Sequence, residues 1–261
     1  MLRAFSTAAT GMAAQQMMVD TISNNLANIN TTGFKRSQIN FQDLLYIKMQ
    51  ESGTEVASGI IAPTGLEIGS GVRAASNVKI FTAGELENTG NNLDIAISGE
   101  GFLQVVMPNG ELRYTRDGTL QTNANGELVT SHGYAVEPSI SGLSDAVSIT
   151  IQKDGGVNIT DASGSQSVVG NIQLARFPNP AGLSSEGDNL FKESIASGSP
   201  ITGTPGENGF GSIQSGFLEK SNVQMVTELV NLITAQRAYE INSRAISAGD
   251  DMLKTANNLG N

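Results

Sequence analysis

The chain has 261 residues, of which 39% are hydrophobic and 15% charged, whereas typical globular domains carry about 45–50% and about 25%. No cysteine and a single histidine are present, which excludes disulfide scaffolds, thiolate metal sites and histidine-pair metal sites. The formal net charge of −10 argues against electrostatic binding to nucleic acid or to an anionic membrane.

The N-terminal region is predicted to be a helix over residues 2–29, because it contains no proline and apolar residues recur at steps of three and four. The apolar seam that we assign to self-assembly comprises Phe5, Met12, Val19, Ile22 and Leu26. Asparagine and threonine crowd the following residues and Gly33 can adopt a left-handed conformation, so the helix should end there. No run approaches the ~20 apolar residues of a membrane span, and no secretory signal of the usual kind is expected.

The middle of the chain, residues 65–216, is predicted to be an antiparallel β domain, either a sandwich or a partial barrel. The turn dipeptides Asn109-Gly110, Asp117-Gly118 and Asn125-Gly126 follow one another at equal intervals between short alternating segments, a pattern that predicts a meander of hairpins. Residues 34–64 are predicted to be an extended linker, with a loop or a long hairpin from residue 50 to residue 63.

A second long helix is predicted from residue 223 to residue 259, with apolar residues on more than one face. The positions that we assign to self-assembly are Leu229, Leu232, Ile233, Tyr239, Ile246 and Leu253. Two arrangements agree with this pattern. The terminal helices either pair within one chain and pack on its middle, or pair and then pack on the helices of other subunits.

The predicted fold class is therefore α+β, with the N- and C-terminal helices paired as a coiled-coil-like α domain and an antiparallel β domain inserted between them. The predicted domains are the N-terminal helix (1–33), an extended linker (34–64), the β domain (65–216) and the C-terminal helix (217–261).

Candidate catalytic groups lack the arrangement that chemistry requires. Asp94, Asp117 and Asp188 lie in strand or turn contexts, and Asp117 before Gly118 is typical of a hairpin turn. His132 precedes a glycine and is expected at a turn or strand end, and no serine stands in a complete nucleophile-elbow motif. We expect no enzymatic activity, no metal and no cofactor.

Both ends of the chain resemble the signatures of the bacterial flagellar rod and hook protein family. The N-terminal signature reads Ser23-Asn24-Asn25-Leu26-Ala27-Asn28-Ile29-Asn30-Thr31-Thr32-Gly33-Phe34-Lys35. The C-terminal signature reads Glu228-Leu229-Val230-Asn231-Leu232-Ile233-Thr234-Ala235-Gln236-Arg237-Ala238-Tyr239-Glu240-Ile241-Asn242-Ser243. The resemblance marks Asn24, Asn25, Asn28, Asn30, Gly33 and Phe34 as a signature turn.

Within that family the chain is most similar to the distal-rod members. Residues 63–72 match a distal-rod pattern, and residues 46–63 resemble the rod-type stretch that distinguishes a straight rod from a curved hook, so Tyr46, Pro63 and Gly65 are assigned to it. The alternatives are a hook or proximal-rod paralogue, a secreted adhesive or carbohydrate-binding module and, least favoured, a peptidoglycan-active enzyme.

The resemblance implies a structural subunit that polymerises helically into a hollow drive shaft and passes torque to the hook. The implied partners are other copies of the chain, the proximal rod and hook proteins, the surrounding basal-body ring proteins and the flagellar type III export apparatus. The implied location is the flagellar basal body, from the periplasm to the level of the outer membrane.

Overall fold

A computed structural model describes residues 2–51, 53, 55–57, 60–61, 64–144, 146–162 and 164–259. Helix α1 (Leu2–Ala27) and helix α2 (Met225–Leu259) lie near the two ends of the chain, as predicted, and the strands between them are antiparallel, which confirms the α+β class. Within the described residues, neither helix combines the length and the apolar character that crossing a membrane requires.

The strands between the two helices are short. Over the described residues they are β1 (Ser37–Asp43), β2 (Ile47–Gln50), β3 (Glu55–Ala57), β4 (Ile60–Ile61), β5 (Leu66–Ile68), β6 (Val72–Lys79), β7 (Leu86–Asn88), β8 (Ile95–Ser98), β9 (Phe102–Val106), β10 (Leu112–Thr115), β11 (Leu120–Thr122), β12 (Leu128–Thr130), β13 (Ala135–Glu137), β14 (Ala146–Ile151), β15 (Gly156–Asp161), β16 (Gln166–Asn171), β17 (Leu174–Arg176), β18 (Ser184–Gly187), β19 (Leu190–Lys192), β20 (Ile201–Gly203), β21 (Ser212–Ser215) and β22 (Phe217–Glu219).

The chain divides into two compact units. The helical unit contains residues 1–26, 37–78 and 225–261, and the β unit contains residues 27–36 and 79–224. In the helical unit, β1 pairs with β6, β2 with β5, and β3 with β4. The β3-β4 pair lies within residues 50–63, and the β2-β5 pair flanks that stretch on both sides, in agreement with the long hairpin that is one of the two alternatives there.

Strand β9 organises the β unit, since it pairs with β10 along one edge and with both β13 and β17 along the other. The largest sheet runs β11-β12-β13-β9-β10-β19-β18, and β17 carries β20 beside it. A three-stranded sheet, β14-β15-β16, and the pairs β21-β8 and β22-β7 complete the unit. In the largest sheet, strands that are adjacent in space are not always consecutive in sequence, so the sheet is not a simple meander.

The two faces of β9 bury two separate cores, because successive side chains of a strand point in opposite directions. Leu103 is fully buried in an aliphatic core with members from the large sheet and from β14 and β15. Phe102, its neighbour, lies in an aromatic core with Phe81, Tyr114, Phe177 and Phe191. The Tyr114 and Phe177 rings meet edge to face at a centroid distance of 4.7 Å, an arrangement that aromatic pairs favour.

The hairpin predicted at Asp117-Gly118 is wrong. Strand β10 pairs with β9 and β19, and β11 pairs with β12, so the dipeptide connects two strands that are not partners. Glycine is needed there for a different reason, because a Cβ atom on Gly118 would collide with the carbonyl oxygen of Ile95. The carbonyl oxygen of Gly118 also accepts a hydrogen bond from the amide of Ile95. The Asn109-Gly110 and Asn125-Gly126 turns do close hairpins, β9-β10 and β11-β12.

Candidate assembly surfaces and the signature turn

The signature turn begins with an asparagine that binds the backbone beyond it. Asn25 is buried, and its side-chain amide exchanges two hydrogen bonds of 2.9 Å with the peptide groups of Ser37, donating to the carbonyl oxygen and accepting from the amide. The amide side chain thus substitutes for a strand partner, which requires both a donor and an acceptor. This pair fixes the start of β1 against the last turn of α1.

The turn proper depends on a glycine. Gly33 has a φ of +68°, and a Cβ atom there would lie 2.7 Å from the amide nitrogen of Asp117. Its own amide donates to the carbonyl oxygen of Glu219 over 2.8 Å. No other residue type combines this left-handed backbone with so close an approach between chain segments.

A buried cluster of charges lies directly after this glycine. Lys35 Nζ is 2.5 Å from Glu219 Oε1 and donates to the carbonyl oxygen of Thr82 over 2.7 Å. Arg116 NH1 is 3.4 Å from the second carboxylate oxygen, Glu219 Oε2. The backbone amide of Gly84 adds a hydrogen bond of 2.9 Å to Oε1. The side chains of Lys35, Glu219 and Arg116 are each no more than 3% exposed, and we call this set the charge junction.

The electrostatics of the charge junction reflect its removal from water. Burial lowers the pKa of Lys35, and the carboxylate of Glu219 opposes that shift. Burial likewise lowers the pKa of Arg116, again against the attraction of Glu219. Breaking a buried pair by removing one partner typically costs about 3–5 kcal/mol, because the other charge stays buried without compensation. The junction therefore holds its three segments together only while it is complete.

Phe34, the last residue assigned to the signature turn, is buried at the edge of the same region. Its ring lies under Lys79 Nζ, 4.9 Å from the ring centroid, and burial lowers the pKa of that lysine. Asn28 accepts a 3.2 Å hydrogen bond from the Thr31 hydroxyl, whereas Asn24 and Asn30 are exposed. The assigned turn residues thus fall into a buried group and an exposed group.

The positions assigned to self-assembly on α1 face partly inward. Ile22 is buried at 4% exposure, and Phe5, Met12, Val19 and Leu26 are half-buried. They follow one stripe, as the spacing of three and four residues requires. Small residues allow close approaches inside the helical unit: a Cβ atom on Gly11 would lie 3.0 Å from Asn242 Nδ2, and one on Gly249 would lie 2.8 Å from the Phe5 ring.

The positions assigned on α2 are mostly open. Leu229, Ile233, Tyr239 and Leu253 are exposed, and Leu232 and Ile246 are half-buried. Further exposed apolar residues of this helix, which the assignment did not include, are Met225, Val226, Val230, Ile241 and Met252. Together these side chains leave a large apolar area of α2 exposed in the single chain, a feature that is common at protein interfaces.

The rod-type stretch presents a second open apolar surface. Tyr46 is 54% exposed and lies beside Gly69, on which a Cβ atom would be 3.6 Å from the tyrosine ring. Ile47 of β2 pairs with Ile68 of β5, and both side chains are exposed. Leu45, at 90% exposure, is also open, and Gly65 is exposed. Pro63, the remaining assigned residue, lies outside the described residues.

The three candidate catalytic carboxylates, Asp94, Asp117 and Asp188, lie in turns. Asp94 is buried and accepts a 2.6 Å hydrogen bond from the hydroxyl of Thr89. Asp117 accepts hydrogen bonds from the amide and the hydroxyl of Thr119. Asp188 has a positive φ of 48° at the turn between β18 and β19. The carboxylates of Asp94 and Asp117 therefore have local roles in turns, and Asp188 contributes a left-handed backbone conformation to its turn.

His132 is exposed, and its ring stacks on that of Tyr134 at a centroid distance of 6.1 Å. Over the part of the chain that the structure describes, no three His, Asp or Glu side chains come close enough together to hold a metal ion.

The charge junction is the feature that sequence reasoning missed. Lys35 stands in the quoted signature, but nothing in its spacing indicates a partner 184 positions away at Glu219. The available signal was weak: a lysine directly after the Gly33-Phe34 pair, and a single glutamate ahead of the second helix. Only the tertiary contact joins them.

Comparison with known proteins shows which family the chain belongs to. The model described as flagella basal body rod protein matches residues 5–35, the flagellar hook protein FlgE/F/G D1 domain matches 96–159, and the flagellar basal body rod FlgEFG protein C-terminal model matches 214–259. The chain is 47% identical over 262 residues to the flagellar basal-body rod protein FlgG of Borreliella burgdorferi, covering 99% of each protein. Identity to the FlgG proteins of Caulobacter vibrioides and Bacillus subtilis is 47% over 260 residues and 37% over 265 residues, again covering 99% of each protein. The chain therefore belongs to the flagellar basal-body rod protein family.

Proposed function

We propose that the protein is a structural subunit of the flagellar distal rod, which polymerises helically into a hollow drive shaft and passes torque to the hook. Two proteins that are 47% identical to it, each covered over 99% of its length, are named as flagellar basal-body rod proteins. No catalytic role enters this function, and the work of the protein lies in its contacts with neighbouring subunits.

The observation that carries the proposal is the shortage of buried apolar side chains in the helical unit. Among its described residues, the buried hydrophobic side chains are Ala14, Ile22 and Ala235 only. Ordering a residue costs roughly 1–2 kcal/mol of backbone entropy, which three small buried groups cannot offset over two long helices. The missing burial has to come from other copies of the chain.

The first turns of α2 supply a suitable surface. Val226, Val230 and Ile233 follow one another at steps of four and three, and each is more than half exposed. Residues at this spacing lie on one face of a helix. A heterologous contact through such a face, repeated from subunit to subunit with a rotation that does not close, produces an open helical filament.

Pairing of α1 with α2 as a coiled-coil-like α domain forms part of the proposal. The close approaches of Gly11 to Asn242 and of Gly249 to Phe5 support an antiparallel pairing, because the earlier residue of α1 meets the later residue of α2. We further propose the domain limits 1–33, 34–64, 65–216 and 217–261 as the functional division, with the β domain on the outside of the shaft.

The partners follow from the same function. Other copies of the chain would cover α2 and the apolar surface of β2 and β5, while proximal rod and hook proteins would continue the shaft at its two ends. Basal-body ring proteins would surround it, and the flagellar export apparatus would deliver the chain unfolded. The family membership supports assembly with rod and hook components.

Electron microscopy of the concentrated, purified full chain tests the function. Straight hollow tubes of constant diameter are the expected result. Curved tubes would favour a hook-type paralogue, and a monodisperse protein over a wide range of concentration and salt would contradict a self-assembling subunit.

A further inference from the structure

We propose that residues 27–36, which include the part of the signature turn from Asn28 to Phe34, stay folded on the β unit in the free subunit, and that the charge junction is the clamp that holds them there. The clamp would fix the point where α1 ends and α2 begins. All the contacts that form it lie within the β unit.

The segment 27–36 is separated from the rest of the β unit by the 42 residues from 37 to 78, which belong to the helical unit. Chain connectivity alone therefore does not hold it in place. Its docking depends on contacts with residues more than 40 positions away, among which Lys35 makes the strongest through Glu219 and the carbonyl oxygen of Thr82.

Backbone hydrogen bonds surround the junction and complete the docking. The Gly33 amide donates to the Glu219 carbonyl over 2.8 Å, and the Arg36 amide donates to Asn222 Oδ1 over 2.7 Å. The Arg36 carbonyl in turn accepts from the amide of Ile80 over 2.9 Å. These bonds tie the segment to the chain on both sides of it, at residue 80 and at residues 219–222.

The two places where the β unit adjoins the helices line one cleft. Ile29 and Asn30, close to the end of α1, line a polar cleft of about 400 Å³ together with Val223 and Gln224, which directly precede α2. A clamped turn would thus keep the end of the α1 segment and the start of the α2 segment at one cleft, even when the helices themselves are unfolded. Joining two binding segments at a short distance raises their effective concentration, so the clamp would favour helix pairing during assembly.

Hydrogen exchange read by mass spectrometry on the full chain, at a dilution where it is monomeric, tests the clamp. In the unsubstituted protein, we expect the amides of residues 33–36 to be protected to the same order as those of β9. In Lys35→Ala, exchange of residues 33–36 should become at least about 100-fold faster while β9 keeps its protection. Lys220→Ala is the matched control, because Lys220 is half-exposed and pairs with Glu87 at the surface, and it should leave both regions unchanged.

Two results would overturn the proposal: rapid exchange of residues 33–36 in the unsubstituted chain, or full protection of those residues in Lys35→Ala. If Lys35→Ala also loses protection in β9, Glu219→Gln decides the question, because its amide oxygen can still accept from Gly84 while the charge is removed. Selective loss of protection at residues 33–36 in Glu219→Gln would support the clamp. Unchanged protection there, or loss spread evenly over the whole unit, would refute it.

Discussion

Replacing Ile233 with aspartate should block assembly without unfolding the subunit. Ile233 is 51% exposed in the single chain, so about half of its side chain remains available for burial by a neighbour. Full burial of isoleucine is worth about 1.5–3 kcal/mol, so the neighbour would contribute about 0.8–1.5 kcal/mol at this position. Burial of an unpaired carboxylate adds a penalty of at least about 1–3 kcal/mol.

Together these contributions raise the free energy of adding a subunit by about 2–4 kcal/mol, which corresponds to a critical concentration roughly 30- to 1,000-fold higher. Sedimentation of assembled protein over a concentration series measures that threshold. Ile233→Val is the matched control and should assemble almost as the unsubstituted protein does, because it keeps the shape and most of the apolar area. Far-ultraviolet circular dichroism should show the same β signal in all three proteins. An unchanged threshold for Ile233→Asp would refute the assignment of this face to the subunit interface.

Two further predictions concern the β unit. Gly33→Ala should lower stability by about 3 kcal/mol or more and the thermal midpoint by roughly 6–12 °C, since it combines a positive φ with a collision against the Asp117 amide. Gly110→Ala, with a φ of +83° and nothing within 4 Å, should cost only about 1 kcal/mol; equal losses in the two variants would contradict the steric argument. Hydrogen bonding from Arg113 holds the pKa of Glu111 below its ordinary value, so this carboxylate stabilises the fold above pH 4.5 and its contribution is lost as the pH falls through the lowered pKa. The thermal midpoint of Glu111→Gln should therefore lie below that of the unsubstituted protein at neutral pH and converge with it in acid, and a gap that stays constant with pH would count against this role.

Most of the net negative charge of the chain lies in the β unit. The β unit, residues 27–36 and 79–224, contains 16 acidic and 9 basic residues and so carries a net charge of −7 out of the total of −10. The helical unit is close to neutral by comparison. Helices that pack against several copies of themselves gain from low net charge, because like charges brought together at an interface are repelled.

The sequence by itself determined the helices and the fold class. Periodicity over many residues is a strong signal, and the predicted helices at 2–29 and 223–259 agree with α1 and α2 to within two residues at each end. Local turn chemistry also sufficed at Asn109-Gly110 and Asn125-Gly126. Local turn chemistry failed at Asp117-Gly118. The glycine there is required by its close approach to the carbonyl oxygen of Ile95, and it does not close a hairpin between neighbouring strands.

Only the tertiary structure decided which strands pair and which charges meet. Leu103 and Phe102 are adjacent in sequence, yet they belong to different cores, because they lie on opposite faces of β9 and each face is covered by elements from distant parts of the chain. Lys35 and Glu219 are 184 residues apart, and no local pattern specifies such a pair. The residues that self-assembly is proposed to use are evident from the repeat of the helices, whereas the junction that anchors those helices depends on chain segments that meet only after the β unit has folded.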